Sequence, residues 1–479
     1  MRSEKMFING QWVDSVSGET FLDLNPATGA VFAEVPKGTA ADADRAMAAA
    51  FAARKEWANW PAGKRAAILY RAAEQMKANR REFVDLLALE GGASFSKAMG
   101  ETIYTADVFR TAGEECPRIT GETIPSDFNK LSLTLYRPKG VVVAISPWNF
   151  PLLLSARKVA YALAAGNTVV LKPSSETPVI TLQLSRLFES LGLPPGVLNV
   201  ITGPGSVVGN ALVEDDRAAC ITFTGDTATG RTVAQKAAAK LKKCTLELGG
   251  KDPLIILADA DIDYAVNAAA FGAFMHQGQV CISVERIIIE APLVDEFSRR
   301  LAAKAETLAV GDPAKAETII GPLINDAQVQ KVHAQVLDAM AAGATLLTGG
   351  TFKGRFYKPT VLTDVTQKMR IFREETFGPV APIITVHDEH EALAVANNTT
   401  YGLSAGIITN DLQKGLFLAE NLESGMVHIN DSSIHDEPVC PFGGCKESGL
   451  GREGGRHSME EMSELKWVTI QRGKRKFPF

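Results

Sequence analysis

A few of the 479 residues are of types, and in settings, that could do chemistry. Cys281 lies in Gly278-Gln279-Val280-Cys281-Ile282, with apolar flanks and a loop-like glycine and glutamine upstream. A thiol attacks carbon only as an accessible thiolate, and a lone cysteine is otherwise an inert core residue. Glu247 ends an apolar run in Leu246-Glu247-Leu248-Gly249-Gly250-Lys251. A carboxyl there is either salt-bridged or raised in pKa, and the raised form serves as a general base near neutral pH. Asn149 follows Pro147-Trp148, where a strand gives way to a helix. Its amide is an N-cap or a donor to a developing oxyanion. Lys172, ending a buried run before Pro173, suits a ribose, a phosphate or a structural carboxylate.

Two glycine-rich turns could hold phosphate. Residues 203–209, GPGSVVG, follow a strand and open a helix, like a dinucleotide fingerprint whose last glycine comes one residue late. Residues 223–230, FTGDTATG, put glycines and hydroxyls at a helix N-terminus, which suits a phosphate or an ordinary capped turn. His387 and His390 are spaced as in a solvated loop, and no metal site is expected. The cluster His435-Asp436-Glu437 reads as a pocket wall.

Such groups need a rigid scaffold, and the sequence patterning supplies one. Residues 40–88 are Ala-rich and helical in period, with one helix before Pro61 and another expected over 63–89. Residues 131–136 alternate as a strand with one open face. Continuous β-rich runs at 141–145, 168–171, 197–201, 220–224 and 244–248 alternate with helical stretches. The alternation restarts at 254–257, 286–290, 380–384, 405–409 and 425–429. Apolar strands alternating with helices imply parallel sheets covered on both faces. The fold class is therefore α/β, with two doubly wound parallel-sheet domains plus a small bridging β element. The tail strand at 465–470 stands beyond both units and is a candidate for pairing with a partner subunit.

Composition narrows the function. Hydrophobic residues make up 46%, and 50 Lys+Arg against 55 Asp+Glu leave a net charge of -5, so no basic field exists for nucleic acid or an anionic membrane. No apolar run approaches the roughly 18 residues of a membrane span, and the N-terminus does not read as a secretory signal. Six cysteines without a CxxC pair suit a reducing compartment, so a cytoplasmic protein is expected.

Seven segments in order resemble the aldehyde dehydrogenase superfamily: PWNFP at 147–151, LKP at 171–173, FTG at 223–225 with Gly230, LELGGK at 246–251, GQVC at 278–281, ETFGP at 375–379 and PFGG at 441–444. The resemblance implies that Cys281 attacks the aldehyde carbon and that its backbone N–H and the Asn149 amide hold the oxyanion. Hydride then leaves the thiohemiacetal for a nicotinamide, and Glu247 activates water to hydrolyse the thioester. It also implies that NADP, NAD or both bind at Ile145, Trp148, Lys172, Ser175, Gly205, Phe223, Gly225, Gly230, Gln328, Lys331, Glu375 and Phe377. In that scheme Glu375 holds the nicotinamide ribose and Lys172 the adenosine ribose. Two departures stand out. Three residues after Lys172, where members restricted to NAD often carry a glutamate, the chain has Ser175, with Glu176 one step later; NADP is expected to be accepted alongside NAD. Asp226 stands where a serine or threonine commonly faces the pyrophosphate, and an acid there must turn away or cap the helix.

The expected substrate pocket draws on Phe150, Leu153, Arg157, Val280, Ile282, His435 and Phe442. It is largely apolar, and residues 432–438, SSIHDEP, resemble the branch acting on benzaldehyde, vanillin and salicylaldehyde. An aromatic aldehyde is the expected substrate. The alternatives are a succinate-semialdehyde or aliphatic aldehyde dehydrogenase, with Arg157 receiving a carboxylate, a cofactor-independent thiol esterase, or a non-catalytic relative. The expected division is a dinucleotide domain of 1–119 with 139–248, a catalytic domain of 249–444, and a bridging element of 120–138 with 460–479, assembled as a homodimer or homotetramer.

Overall fold

The computed structural model describes residues 2–479. The β-rich runs form two large sheets. The first holds, side by side, strands Leu198–Val200, Thr168–Lys172, Val141–Ile145, Ala218–Thr224 and Lys243–Glu247, all parallel. The chain enters at Val141–Ile145, builds outward to one side, then returns to build on the other. A reversal of this kind leaves a crevice beyond the carboxyl ends of Val141–Ile145 and Ala218–Thr224. Antiparallel strands close both edges: Met6–Ile8 and Gln11–Val13 on one side, Gly449–Leu450 on the other. The N-terminal pair was not expected from the sequence; three-residue strands are too short to show a period.

The second sheet runs Thr345–Thr348, Thr360–Thr363, Val380–Val386, Val284–Glu290, Asp252–Ile256, Ser404–Ile408 and Met426–Ile429. It is parallel except at its first pair. Every residue of Asp252–Ile256, Val284–Glu290 and Ser404–Ile408 is buried, which explains the apolar runs Leu254–Ile256, Ile287–Ile289 and Ala405–Ile408 within them. Helix Pro151–Ala164 packs on strands Val141–Ile145 and Thr168–Lys172 of the first sheet, buried along all 14 residues, Arg157 and Lys158 included. A helix apolar on every side is a core helix, so charges on it must find partners inside the protein.

Two expectations change. The single helix expected over 63–89 breaks at Asn79, which ends Ala62–Ala78 with φ -102° and ψ 19° and precedes Arg80–Gly91. Asparagine tolerates this bridge conformation because its side chain competes for backbone hydrogen bonds. The tail strand Ser463–Gln471 does not stand alone; it pairs antiparallel along its whole length with Lys130–Pro138 of its own chain. Two strands distant in sequence thus complete each other, and Ser463–Gln471 forms one edge of a three-stranded sheet.

Candidate active site

Cys281 follows a backbone kink. His276 and Gln277 take φ of 49° and 57°, a left-handed pair that non-glycine residues rarely adopt. Buried contacts hold them there: His276 stacks edge-on with Phe150 at 5.6 Å, and Gln277 Nε2 donates to the Pro322 carbonyl at 3.0 Å. Burial pushes the His276 imidazole well below its ordinary pKa, so it is neutral. Stored backbone strain of this kind clusters at functional sites.

The Asn149 side chain Nδ2 donates to the Gln279 carbonyl at 3.0 Å, which ties it two residues from the thiol. One of its two N–H groups remains for another acceptor. The turn carrying Asn149 is fixed from below by helix Phe95–Glu115. There Lys97 Nζ donates to the Asn149 carbonyl at 2.7 Å, and Glu101 Oε1 accepts from the Leu152 and Leu153 N–H groups at 3.0 and 3.1 Å. Lys97 and Glu101 are themselves ion-paired and buried. Glu101 so caps the core helix from a distance, a role that sequence reasoning missed. An i,i+4 Lys–Glu pair looks the same in sequence whether it faces water or the core.

Cys281 borders two cavities. One is a cleft of about 450 Å³ at the crevice of the first sheet. Its lining brings together Ile145, Trp148, Lys172, Ser175, Gly205, Phe223, Gly225, Gln328, Lys331, Glu375 and Phe377, with Asn149 beside the thiol. Gly230 is not among the lining residues. A Cβ there would fall 2.4 Å from Leu248 Cδ2, so Gly230 lets its helix approach the strand end behind the cleft. Burial brings the Lys172 ammonium down to about 8, while its Nζ donates to the Pro173 carbonyl at 2.7 Å. Glu375 is pushed up to about 7 by burial, with the Glu285 carboxylate adding to the effect, and its Oε1 accepts from the Gly250 N–H at 3.2 Å. The turn at Glu375 is held by a buried network outside the expected set: Glu285 accepts from the Thr376 and Phe377 N–H groups and pairs with Lys251 at 2.6 Å. Gln328 Nε2 donates to the Phe377 carbonyl at 2.7 Å.

The donor set of the cleft, with cations at Lys172 and Lys331 and hydroxyls at Ser174, Ser175 and Thr229, fits a ligand carrying phosphates and riboses. Asp226 caps helix Thr227–Ala238: its Oδ1 accepts from the Thr229 N–H at 2.9 Å and its Oδ2 from the Thr229 hydroxyl at 2.6 Å. The capping alternative therefore holds, but the carboxylate still borders the cleft. Glu176 also borders it, so the part of the cleft lined by Lys172 and Ser175 is not free of anions as the substitution of Ser175 alone implied.

The second cavity, about 320 Å³, lies on the other side of Cys281. Phe150, Leu153, Arg157, Val280, Ile282, His435 and Phe442 all border it. Helix Phe95–Glu115 adds Lys97, Glu101 and Tyr104, residues that apolar periodicity gave no reason to single out.

Glu247 borders neither cavity. Its carboxyl is buried with no hydrogen-bond partner on either oxygen. Burial raises its pKa well above the carboxylate range, and the Glu453 carboxylate pushes in the same direction. Gly443, at φ 151°, makes room for it: a Cβ there would fall 2.7 Å from Glu247 Oε1. The Cys281 thiol is likewise raised, first by burial and then by the carboxyls of Asp252, Glu247, Glu375 and Asp436. The thiol thus borders both cavities, while burial and the neighbouring carboxyls disfavour the thiolate that the nucleophile reading requires.

Comparison with known proteins gives a consistent result. The family model described as the aldehyde dehydrogenase family matches residues 12–468. A vanillin dehydrogenase of Corynebacterium glutamicum is 42% identical over 98% of each chain. A mitochondrial succinate-semialdehyde dehydrogenase of Arabidopsis thaliana is 41% identical over 97% of this chain and 88% of its own. Among solved structures, a salicylaldehyde dehydrogenase of Pseudomonas putida G7 complexed with salicylaldehyde superposes with a TM-score of 0.98 at 40% identity, covering 100% of both chains.

Proposed function

The chain belongs to the aldehyde dehydrogenase family and is an NAD(P)-dependent aldehyde oxidoreductase, and on that premise we propose that it converts an aromatic aldehyde to its acid through Cys281, Asn149 and Glu247. The observation that carries the reading is the position of Cys281, on the wall of both the dinucleotide-shaped cleft and the apolar pocket. Cys281 Sγ attacks the aldehyde carbon to form a thiohemiacetal. The free N–H of the Asn149 amide and the Cys281 backbone N–H receive the oxyanion. The bound dinucleotide supplies the hydride acceptor. Glu247 then turns from Gly443 toward the resulting thioester, loses its proton to solvent on leaving its unsolvated position, and as the carboxylate takes a proton from the water that attacks the thioester, passing it on to the departing Cys281 thiolate so that acid and thiol are released. When bound, an oxidised dinucleotide would also supply a positively charged ring in the cleft that Cys281 borders, which would offset the carboxylates that hold its thiol up.

Ring-sized aldehydes suit the pocket, whose apolar walls include Phe150, Leu153, Val280, Ile282 and Phe442. The vanillin and salicylaldehyde relatives lend support. A semialdehyde is the second reading, favoured by the Arabidopsis relative and by a cation, Arg157, at the pocket. Initial rates on benzaldehyde, vanillin, succinic semialdehyde and hexanal, each with NAD and NADP, separate the two. A clear preference for either of the last two ends the aromatic reading.

No helix among the described residues is long and apolar enough to cross a membrane. A cytoplasmic location belongs to the proposal, as does the division into a dinucleotide domain, a catalytic domain and a bridging element. The edge strand Ser463–Gln471 exposes Leu465, Trp467 and Ile470, and the proposal assigns this edge to a second copy of the chain.

A further inference from the structure

Arg157 is 1% exposed on the buried core helix, yet it borders the apolar pocket. Its Nη2 donates to the Tyr104 hydroxyl at 3.1 Å and also to Asp436 Oδ2. The guanidinium carbon lies 5.2 Å from the centroid of the Phe442 ring and 5.7 Å from that of Tyr104. Nε and Nη1 have no acceptor but are sealed off from solvent, so Nη2 carries both of the guanidinium's contacts. A guanidinium left open in such a place would attract a substrate carboxylate strongly, since a planar fork of donors matches two oxygens. Asp436 comes from the loop across the pocket, between strand Met426–Ile429 and Phe442, and brings that carboxylate from the protein itself. The other buried cation on the pocket wall, Lys97, is likewise paired inside the protein, with Glu101.

We infer that Asp436 is a specificity-determining residue: it fills the anion position on Arg157, so that the pocket takes uncharged aldehydes and turns away those bearing a carboxylate. The inference rests on the reading of this pocket as the aldehyde site. A substrate carboxylate entering beside Asp436 would place two acids against one guanidinium in a poorly solvated pocket, and like charges there repel strongly. Removing Asp436 leaves Arg157 buried without its anion and opens the space that anion held. A carboxylate on the substrate then restores the missing pair.

The test compares kcat/KM within two matched pairs, benzaldehyde against para-carboxybenzaldehyde and butanal against succinic semialdehyde. The wild type should favour the uncharged member of each pair by about tenfold or more, a buried charge-assisted contact being worth at least that much. Asp436→Ala should move both ratios toward the carboxylated member by about tenfold or more on the same grounds. The double variant Arg157→Leu/Asp436→Leu should show no such move, since the gain requires the guanidinium. The inference is overturned if the wild type favours the carboxylated members, if Asp436→Ala leaves both ratios unchanged, or if the double variant shifts them equally. Should Asp436→Ala not fold, Asp436→Asn keeps the shape without the charge, and the wild-type ratios decide by themselves. Because each ratio is read within one skeleton, aromatic or four-carbon, and compared between variants on the same pair, a preference for butanal over benzaldehyde would defeat the aromatic proposal while leaving the role of Asp436 readable.

Discussion

Glu247→Gln should make the protein more stable while stopping its turnover. Both Glu247 oxygens are buried without partners, and burial raises the carboxyl well above its ordinary pKa. The folded chain therefore holds this proton more tightly than the unfolded chain does. Below the unfolded pKa of about 4.3 both states are protonated and the group costs nothing. As pH rises above that value the unfolded chain gains from ionising and the folded one does not. The native state loses about 1.4 kcal/mol for each pH unit until the folded pKa is passed. Glutamine has nearly the same shape and no proton to hold, so the variant escapes this cost. Its stability advantage should be near zero at the acid end and widen by about 1.4 kcal/mol per pH unit above it. Denaturant titrations of both proteins at pH 4.5, 5.5 and 6.5 give the slope. Rapid mixing with benzaldehyde and cofactor gives the chemistry: a burst of about one reduced cofactor per site, then arrest, as expected when acylation proceeds without deacylation. An advantage that does not change with pH, or a variant that turns over at the wild-type rate, would refute the reasoning.

Cys281→Ala should abolish aldehyde oxidation while dinucleotide binding, followed by protein fluorescence, stays within about twofold, because a thiol-to-methyl change removes the nucleophile and little volume. NADP should be used with an efficiency within about a hundredfold of NAD, since Lys172 offers a cation for the 2′-phosphate; a larger deficit means that Glu176 and Asp226 dominate that end of the cleft. Asp226→Ser should keep the helix cap yet lower the KM for either dinucleotide about fivefold, the worth of one removed like charge near an exposed phosphate, and an unchanged or higher KM would show that the carboxylate faces away from the ligand. Lys97→Met should cut kcat/KM on benzaldehyde by about tenfold or more by loosening the Asn149 turn; a drop in thermal stability with unchanged kcat/KM would make the lysine purely structural.

What the linear order could fix was the alternation of strands and helices and the identity of the groups able to attack, donate or accept. Unbroken apolar runs such as 141–145 announce a buried parallel strand because both faces must be covered. The spaced motifs then named Cys281, Asn149, Glu375 and the pocket residues, since such segments are local and each keeps its own turn chemistry. Charge pairing and state of ionisation were not legible. Whether Lys97–Glu101 faces solvent or core, whether Arg157 is free or held by Asp436, and whether the Cys281 thiol is lowered or raised all depend on groups dozens to hundreds of residues apart. The tail strand showed the same limit: the resemblance grouped it with 120–138 in one bridging element, but only folding gave the antiparallel pairing with Lys130–Pro138 and its register. Hydrophobic period is a property of neighbours along the chain, whereas electrostatic free energy depends on what lies across a few ångströms of space, and that distance exists only once the chain has closed on itself.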